Sequence, residues 1–192
     1  MKEANYKRRG ARYRARRRAV DLLFEAEQRD VNPIDLVEER IAMSREQHSD
    51  IAPVAEYAEQ IVVGVATNID GIDSTIAGYL TEEWPLHRLP AVDRAILRLG
   101  IWELFHNPDV PPQVAVVEAV ELASEYSTNQ APPYVNAVLD SASGVAEQAR
   151  AAAAAVAQSL PPQGETTPEV SSDDGAAAEV SSDEAEQPGS QW

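Results

Sequence analysis

The sequence predicts an all-α protein: a compact bundle of about seven helices followed by a disordered acidic tail. Three observations predict it. Apolar residues recur at spacings of three and four along most of the first 150 residues. No convincing period-two run interrupts them. Past Arg150 the composition turns to alanine and then to Pro, Gly, Ser and acid.

The first helix grows out of a basic run, Lys7-Arg8-Arg9-Gly10-Ala11-Arg12-Tyr13-Arg14-Ala15-Arg16-Arg17-Arg18. Ala15, Ala19, Leu22, Leu23 and Ala26 share one helical stripe, with Val20 and Phe24 on its shoulder. The later arginines therefore occupy the first turns of the helix, and residues 1–11 form a flexible basic arm. Arginines at a helix N-terminus oppose the macrodipole at about a few tenths of a kcal/mol each. Something other than local helix stability placed them there.

Asn32-Pro33 reads as an N-cap with proline at the first helical position, followed by a stripe of Ile34, Val37 and Ile41. Ser49 or Asp50 opens a third helix carrying Val54, Tyr57, Ala58, Ile61, Val62, Val65 and Ile69. Gly64 inside it costs about 1 kcal/mol relative to alanine, which predicts close helix packing at that point. A short fourth helix holds Ile72, Ile76, Tyr79 and Leu80, with Asp70-Gly71 as the expected junction.

From Val92 to Phe105 the apolar residues run nearly all the way round, as in a buried central helix. Asn107-Pro108 ends it. Pro111-Pro112 starts the next helix, where Val116, Val117, Val120 and Ala123 are expected to face inward. Pro132-Pro133 starts the last, with Val135, Val138, Leu139, Ala142 and Val145 as its stripe. Asn136 on that helix reads as a buried amide tying helices together. The domain is expected to span residues 12–150 and the tail residues 151–192, although Ala151–Ala155 also suit an extension of the helix.

Charge is partitioned. Residues 1–18 hold nine Lys or Arg against one Glu, residues 151–192 hold eight acids and no base, and the chain as a whole is at −16. A nucleic-acid binder needs a concentrated basic patch rather than a basic average. Arginine forks match phosphate bidentately and stack on bases. Tyr6 and Tyr13 lie among them as flat partners for unstacked RNA bases. The acidic tail, which repeats Glu-Val-Ser-Ser-Asp from Glu169 and from Glu179, is expected either to stay solvated or to compete weakly for the arginines.

Other classes find little support. The absence of cysteine excludes disulfides and thiolate metal sites and fits a cytoplasmic protein. No run approaches the roughly 20 apolar residues of a membrane span. His48, His87 and His106 are scattered without ligand spacing, no nucleophile or phosphate-loop motif occurs, and Glu82-Glu83 reads as a solvated pair. The expectation is a protein without catalytic residues, metal or cofactor.

Three strings carry a family resemblance: Val92-Asp93-Arg94-Ala95-Ile96-Leu97-Arg98-Leu99-Gly100-Ile101-Trp102-Glu103-Leu104, then Asp109-Val110-Pro111-Pro112-Gln113-Val114-Ala115-Val116-Val117-Glu118-Ala119-Val120-Glu121-Leu122-Ala123, then Tyr134-Val135-Asn136-Ala137-Val138-Leu139-Asp140. Gly64-Val65-Ala66-Thr67-Asn68 and the arginine run add to them. In order and spacing they resemble the NusB family over about residues 8–147.

The resemblance implies two helical subdomains and a transcription antitermination factor. It also implies binding to boxA, a single-stranded element of ribosomal RNA leaders, together with NusE, a small-subunit ribosomal protein. The pair then joins RNA polymerase and keeps it from terminating. A homodimer that covers the arginine segment is a further state the family allows.

Arg12, Arg14 and Arg16 fall in the family's arginine motif, and with Arg8, Arg9, Tyr13 and Arg17 they form the expected N-terminal RNA contact. Tyr79, Arg98, Gln130 and Tyr134 fall where family members approach RNA, and Phe24 and Asp93 where they meet NusE. Tyr13 departs from a common arginine, and Arg17-Arg18 from an acid and a small residue. On the residues alone, Tyr79 and Tyr134 also suit the edge of a core, Arg98 a pair with Glu103 or a nearby acid, Phe24 the core, and Asp93 the N-terminus of its helix. The rival to an RNA-binding factor is a helical interaction scaffold without specific RNA binding. A ribosomal RNA cytosine methyltransferase, which resembles the family at its front, would need a catalytic cysteine that this chain lacks.

Overall fold

The computed structural model describes residues 10–46 and 50–159. Tyr6, Arg8, Arg9, His48, Ser49 and the acidic sequence from Leu160 lie outside the described residues. Seven α-helices and one 3₁₀ turn, with no strand, make up the described chain.

The first helix, α1 (Ala11–Arg29), buries Tyr13, Ala15, Arg16, Ala19, Val20, Leu22, Leu23 and Ala26. It closes at Asp30, which takes the left-handed conformation at φ 53° and lets the Val31 N–H donate to Ala26 O at 3.0 Å. α2 (Pro33–Ser44) begins as its sequence requires: the Asn32 side chain accepts the Ile34 N–H at 2.9 Å and Pro33 fills the first position. Its buried pair is Leu36 and Val37, with Ile34 and Ile41 half-buried.

α3 (Glu56–Thr67) starts later than Ser49 or Asp50. A helix from there would hold Ala52 in the α region directly before Pro53, which the proline ring disfavours. Between α3 and α4 (Ile69–Tyr79) the junction is Asn68 rather than Asp70-Gly71. Asn68 turns the chain by donating its side-chain N–H to Gly64 O at 2.7 Å while its own carbonyl accepts the Ile72 N–H at 2.9 Å.

A 3₁₀ turn (Leu86–Arg88) leads into α5 (Ala91–His106), followed by α6 (Pro112–Tyr126) and α7 (Ala131–Ser159). α7 continues through the alanine run past Arg150. The Arg150 guanidinium donates to the carbonyls of Glu103, Leu104, Asn107 and Val110, setting a positive charge on the open C-terminus of α5.

The helices gather as α1–α3 and α4–α7, joined because α5 packs on α1 and α3 as well as on α4, α6 and α7. Close approach is built into two of these contacts. A Cβ on Gly64 would lie 2.0 Å from Trp102 Nε1, and one on Gly100 2.7 Å from a Leu139 methyl.

Two inward faces differ from expectation. α6 buries Ala115, Val116, Ala119, Leu122 and Ala123, while Val117 is 66% exposed. α7 buries Ala146 in place of the exposed Val145, and Asn136 is exposed rather than buried. Elsewhere both faces match the stripes: Val116 and Ala123 on α6 and Val135, Val138, Leu139 and Ala142 on α7 are buried, with Ala115, Ala119 and Ala146 beside them.

Candidate nucleic-acid interface

The arginines of α1 do not share a face, because each successive residue turns 100° round the helix. Arg12 and Arg14 are exposed, and Arg17 and Arg18 half-exposed. Arg16 points inward and is 2% exposed. Its Nε donates to Glu103 Oε1 at 2.8 Å and a terminal nitrogen donates to Glu118 Oε2 at 3.3 Å. The Tyr57 hydroxyl donates to the same Glu103 oxygen, and Asn107 donates to the Tyr57 hydroxyl at 3.3 Å. The guanidinium carbons of Arg12 and Arg16 stand 5.4 and 5.6 Å from the centre of the Tyr57 ring. Burial pushes the Glu103 carboxyl above its usual value against the pull of Arg16, and burial together with Glu103 raises the Tyr57 hydroxyl.

Arg16, expected at the RNA face, is thus committed to the interior. Tyr13 likewise lies under the surface, its hydroxyl donating to Glu125 Oε2 at 2.6 Å. Arg17 lies over the Tyr126 ring at 5.4 Å, donates to its hydroxyl at 2.8 Å and pairs with Glu125 at 3.1 Å. The Tyr126 hydroxyl donates in turn to Asp21 at 2.8 Å. Arg14 and Arg18 line a depression on the other flank of α1 with Arg40, Ala55 and the stretch from Ile51 to Pro53.

Tyr79, Gln130 and Tyr134, far apart in sequence, meet in one groove of about 760 Å³. The end of α4 supplies Tyr79, the turn before α7 supplies Thr128 and Gln130, and the first turn of α7 supplies Tyr134. Trp84 and Arg88 complete the rim, and Trp84 is 61% exposed. Sequence reasoning passed over Trp84. A large aromatic in an acidic, non-periodic stretch between two helices was the signal.

This groove and the arginine segment are connected through the end of α6, since Tyr126 receives Arg17 and Thr128 opens the groove. Between them they supply cations and flat rings, the two elements that hold phosphate and unstacked bases.

Arg98 and Asp93 take the alternative placements read from the residues alone, a pair with nearby acids and the first turn of a helix. Arg98 lines a separate depression beside Glu27 and Asp30. It makes two parallel 2.8 Å bonds to Asp73 and a third to Glu27, the nearby-acid pairing with different acids from Glu103. Burial pushes the Glu27 carboxyl up, but hydrogen bonds and charge from Arg94 and Arg98 outweigh it and hold the group below its usual value. Asp93 is 1% exposed, with one oxygen accepting the Tyr134 hydroxyl and Oδ1 without a partner. Phe24, by contrast, is 40% exposed on α1. Among the described residues no cluster of three or more His, Asp or Glu suits a metal ion, and no helix is long and apolar enough to cross a membrane.

Fold and site define a small all-helical protein that presents a basic first helix beside an aromatic groove. The profile of the NusB family matches residues 13–143, and the chain belongs to that family of non-enzymatic transcription antitermination factors. It is 61% identical over 139 residues to transcription antitermination protein NusB of Corynebacterium jeikeium, covering 72% of this chain and 69% of that one. The NusB of Corynebacterium efficiens is 52% identical over 149 residues, covering 78% and 79%. Among solved structures, NusB of T. maritima superposes with a TM-score of 0.59 at 33% identity, over 71% of this chain and 92% of that one. A complex of antitermination factors NusB and NusE with double-stranded RNA superposes at 0.58 and 30% identity, over 71% and 99%.

Proposed function

We propose that this chain binds the boxA element of ribosomal RNA leaders together with NusE, joins the RNA polymerase antitermination complex in the cytoplasm and suppresses termination. The observation that carries the reading is the convergence of Tyr79, Trp84, Gln130 and Tyr134 in a groove next to the arginines of α1. Family membership supports it, as does the solved complex in which a similar protein meets NusE and RNA. In this reading Arg12, Arg14 and the outer arginines, with Arg8 and Arg9 ahead of them, take phosphates. Tyr79, Trp84 and Tyr134 take bases. Arg16, Tyr13 and Arg98 hold the frame. Phe24 is the exposed apolar anchor for NusE. A homodimer over the arginine segment is the storage state that this arrangement allows.

Titration of the full chain with a boxA oligonucleotide and a scrambled control, with and without NusE, tests the reading. Preference for boxA that strengthens when NusE is added is expected. Equal binding of both RNAs, with NusE still bound, would leave a protein-interaction scaffold instead.

A further inference from the structure

We propose that Asp93 is a positioning residue of the groove: through the Tyr134 hydroxyl it fixes the aromatic wall against which an RNA base lies. This rests on the RNA reading above and replaces the expected role of Asp93 as a surface contact for NusE.

The local sequence explains why the carboxylate is available. Asp93 is the third residue of α5, behind Pro90 at the N-cap. An acid at that position ordinarily accepts the backbone N–H of the N-cap residue, but proline has none. The carboxylate is therefore left without that capping donor. The N-terminus of α5 still favours its negative charge, so it stays buried and reaches across to α7 for a partner.

That partner is the Tyr134 hydroxyl, which donates to Asp93 Oδ2, while Oδ1 accepts no bond. A bond to a carboxylate is stronger than one between neutral groups, and here the whole side chain depends on it. Burial and the adjacent carboxylate both push the Tyr134 hydroxyl up, keeping it a donor. The Tyr134 ring is half-buried and lines the groove together with Tyr79 and Trp84. A group that is 1% exposed presents no charge to a protein partner. What it does present, indirectly, is an oriented ring.

Released from Asp93, the ring would be free to visit about two staggered χ1 wells, the third being closed by the preceding helical turn. If one of them suits the base, apparent RNA affinity falls by about twofold.

The test uses the full chain labelled with fluorotyrosine, the Tyr134 fluorine signal being assigned by its loss in Tyr134→Phe, and titrations with the boxA oligonucleotide and with NusE. Asp93→Ala should shift or broaden the Tyr134 signal and weaken RNA binding about twofold. Asp93→Asn, which keeps an acceptor for the hydroxyl, should remain near wild type. Tyr134→Phe should weaken RNA binding by a similar factor, and adding Asp93→Ala to it should cost nothing more; it probes the same bond should Asp93→Ala not fold. NusE affinity should be unchanged throughout. An unmoved fluorine signal, additive losses, or a loss of NusE affinity with RNA affinity intact would overturn the proposal. A wild-type chain that binds no RNA while the fluorine signal still answers to Asp93→Ala would overturn the functional reading and not the hold of Asp93 on Tyr134.

Discussion

α5 carries two buried carboxylates, Asp93 near its start and Glu103 near its end, and they are neutralised in different ways. Each accepts a tyrosine hydroxyl and each leaves one oxygen without a partner. Asp93 lies in the first turn, where the backbone N–H groups supply partial positive charge. Glu103 lies too far along the helix for that help. It calls on a full cation, and the cation comes from the run of arginines at the start of α1. A basic run in a sequence therefore need not act as one unit. One arginine in it serves the interior, and its neighbours are left for the surface.

The largest effect should come from breaking the second arrangement. Arg16→Ala strands Glu103 in the core, and removing one partner of a buried pair costs about 3–5 kcal/mol. Arg12→Ala, on the exposed side of the Tyr57 ring, should stay within about 1 kcal/mol. Urea unfolding of both variants measures the contrast, and similar small losses would abolish the distinction between the two arginines.

Gly64→Ala acts on the same cluster from the α3 side. Its new methyl would press on the Trp102 indole, and overpacking of this kind costs about 1–3 kcal/mol. A shift in tryptophan emission should accompany the loss, because Trp102 must move. A variant as stable as wild type with unchanged emission would mean that the α3–α5 contact yields more easily than the packing implies.

The pH dependence separates Glu103 from the exposed-edge carboxylates. Burial holds Glu103 above its ordinary value of 4.5, so its contribution to stability is fully present below that pH and is lost as the pH rises through the raised value. Glu27, held below 4.5 by its arginines, contributes above that pH and loses its contribution on acidification. Stability of wild type relative to Glu103→Gln should therefore decline as the pH rises above 4.5. A flat difference in urea midpoints would contradict the assignment of burial as the dominant influence on Glu103.

Periodicity, caps and a glycine made the helices legible: the Asn32-Pro33 start, the all-round apolar α5 and the contact behind Gly64 all follow from local rules. What stayed hidden depends on contacts between distant residues. Arg16 meets Glu103, Tyr13 meets Glu125 and Asp93 meets Tyr134, and no local pattern distinguishes these partners from solvent-facing charges. On α6 the stripe holds for Val116 and Ala123, with Val120 half-buried against the core, and only Val117 turns out to solvent. Tyr79, Gln130 and Tyr134 entered the site through family resemblance rather than through any spacing of their own. Trp84, in a stretch without period, had nothing to mark which way it faces.

In the proposed function the outer arginines of α1, and not Arg16, carry the phosphate contacts. Affinity for a boxA oligonucleotide measured across a series of salt concentrations tests it most directly, comparing the full chain with an Arg12→Ala, Arg14→Ala double variant. Each single-stranded phosphate contact contributes roughly 0.7 to the slope of log affinity against log salt, so losing two should lower the slope by about 1.4 and weaken binding while the helical fold melts as in wild type. An unchanged slope and affinity in the double variant would place the RNA elsewhere on the molecule.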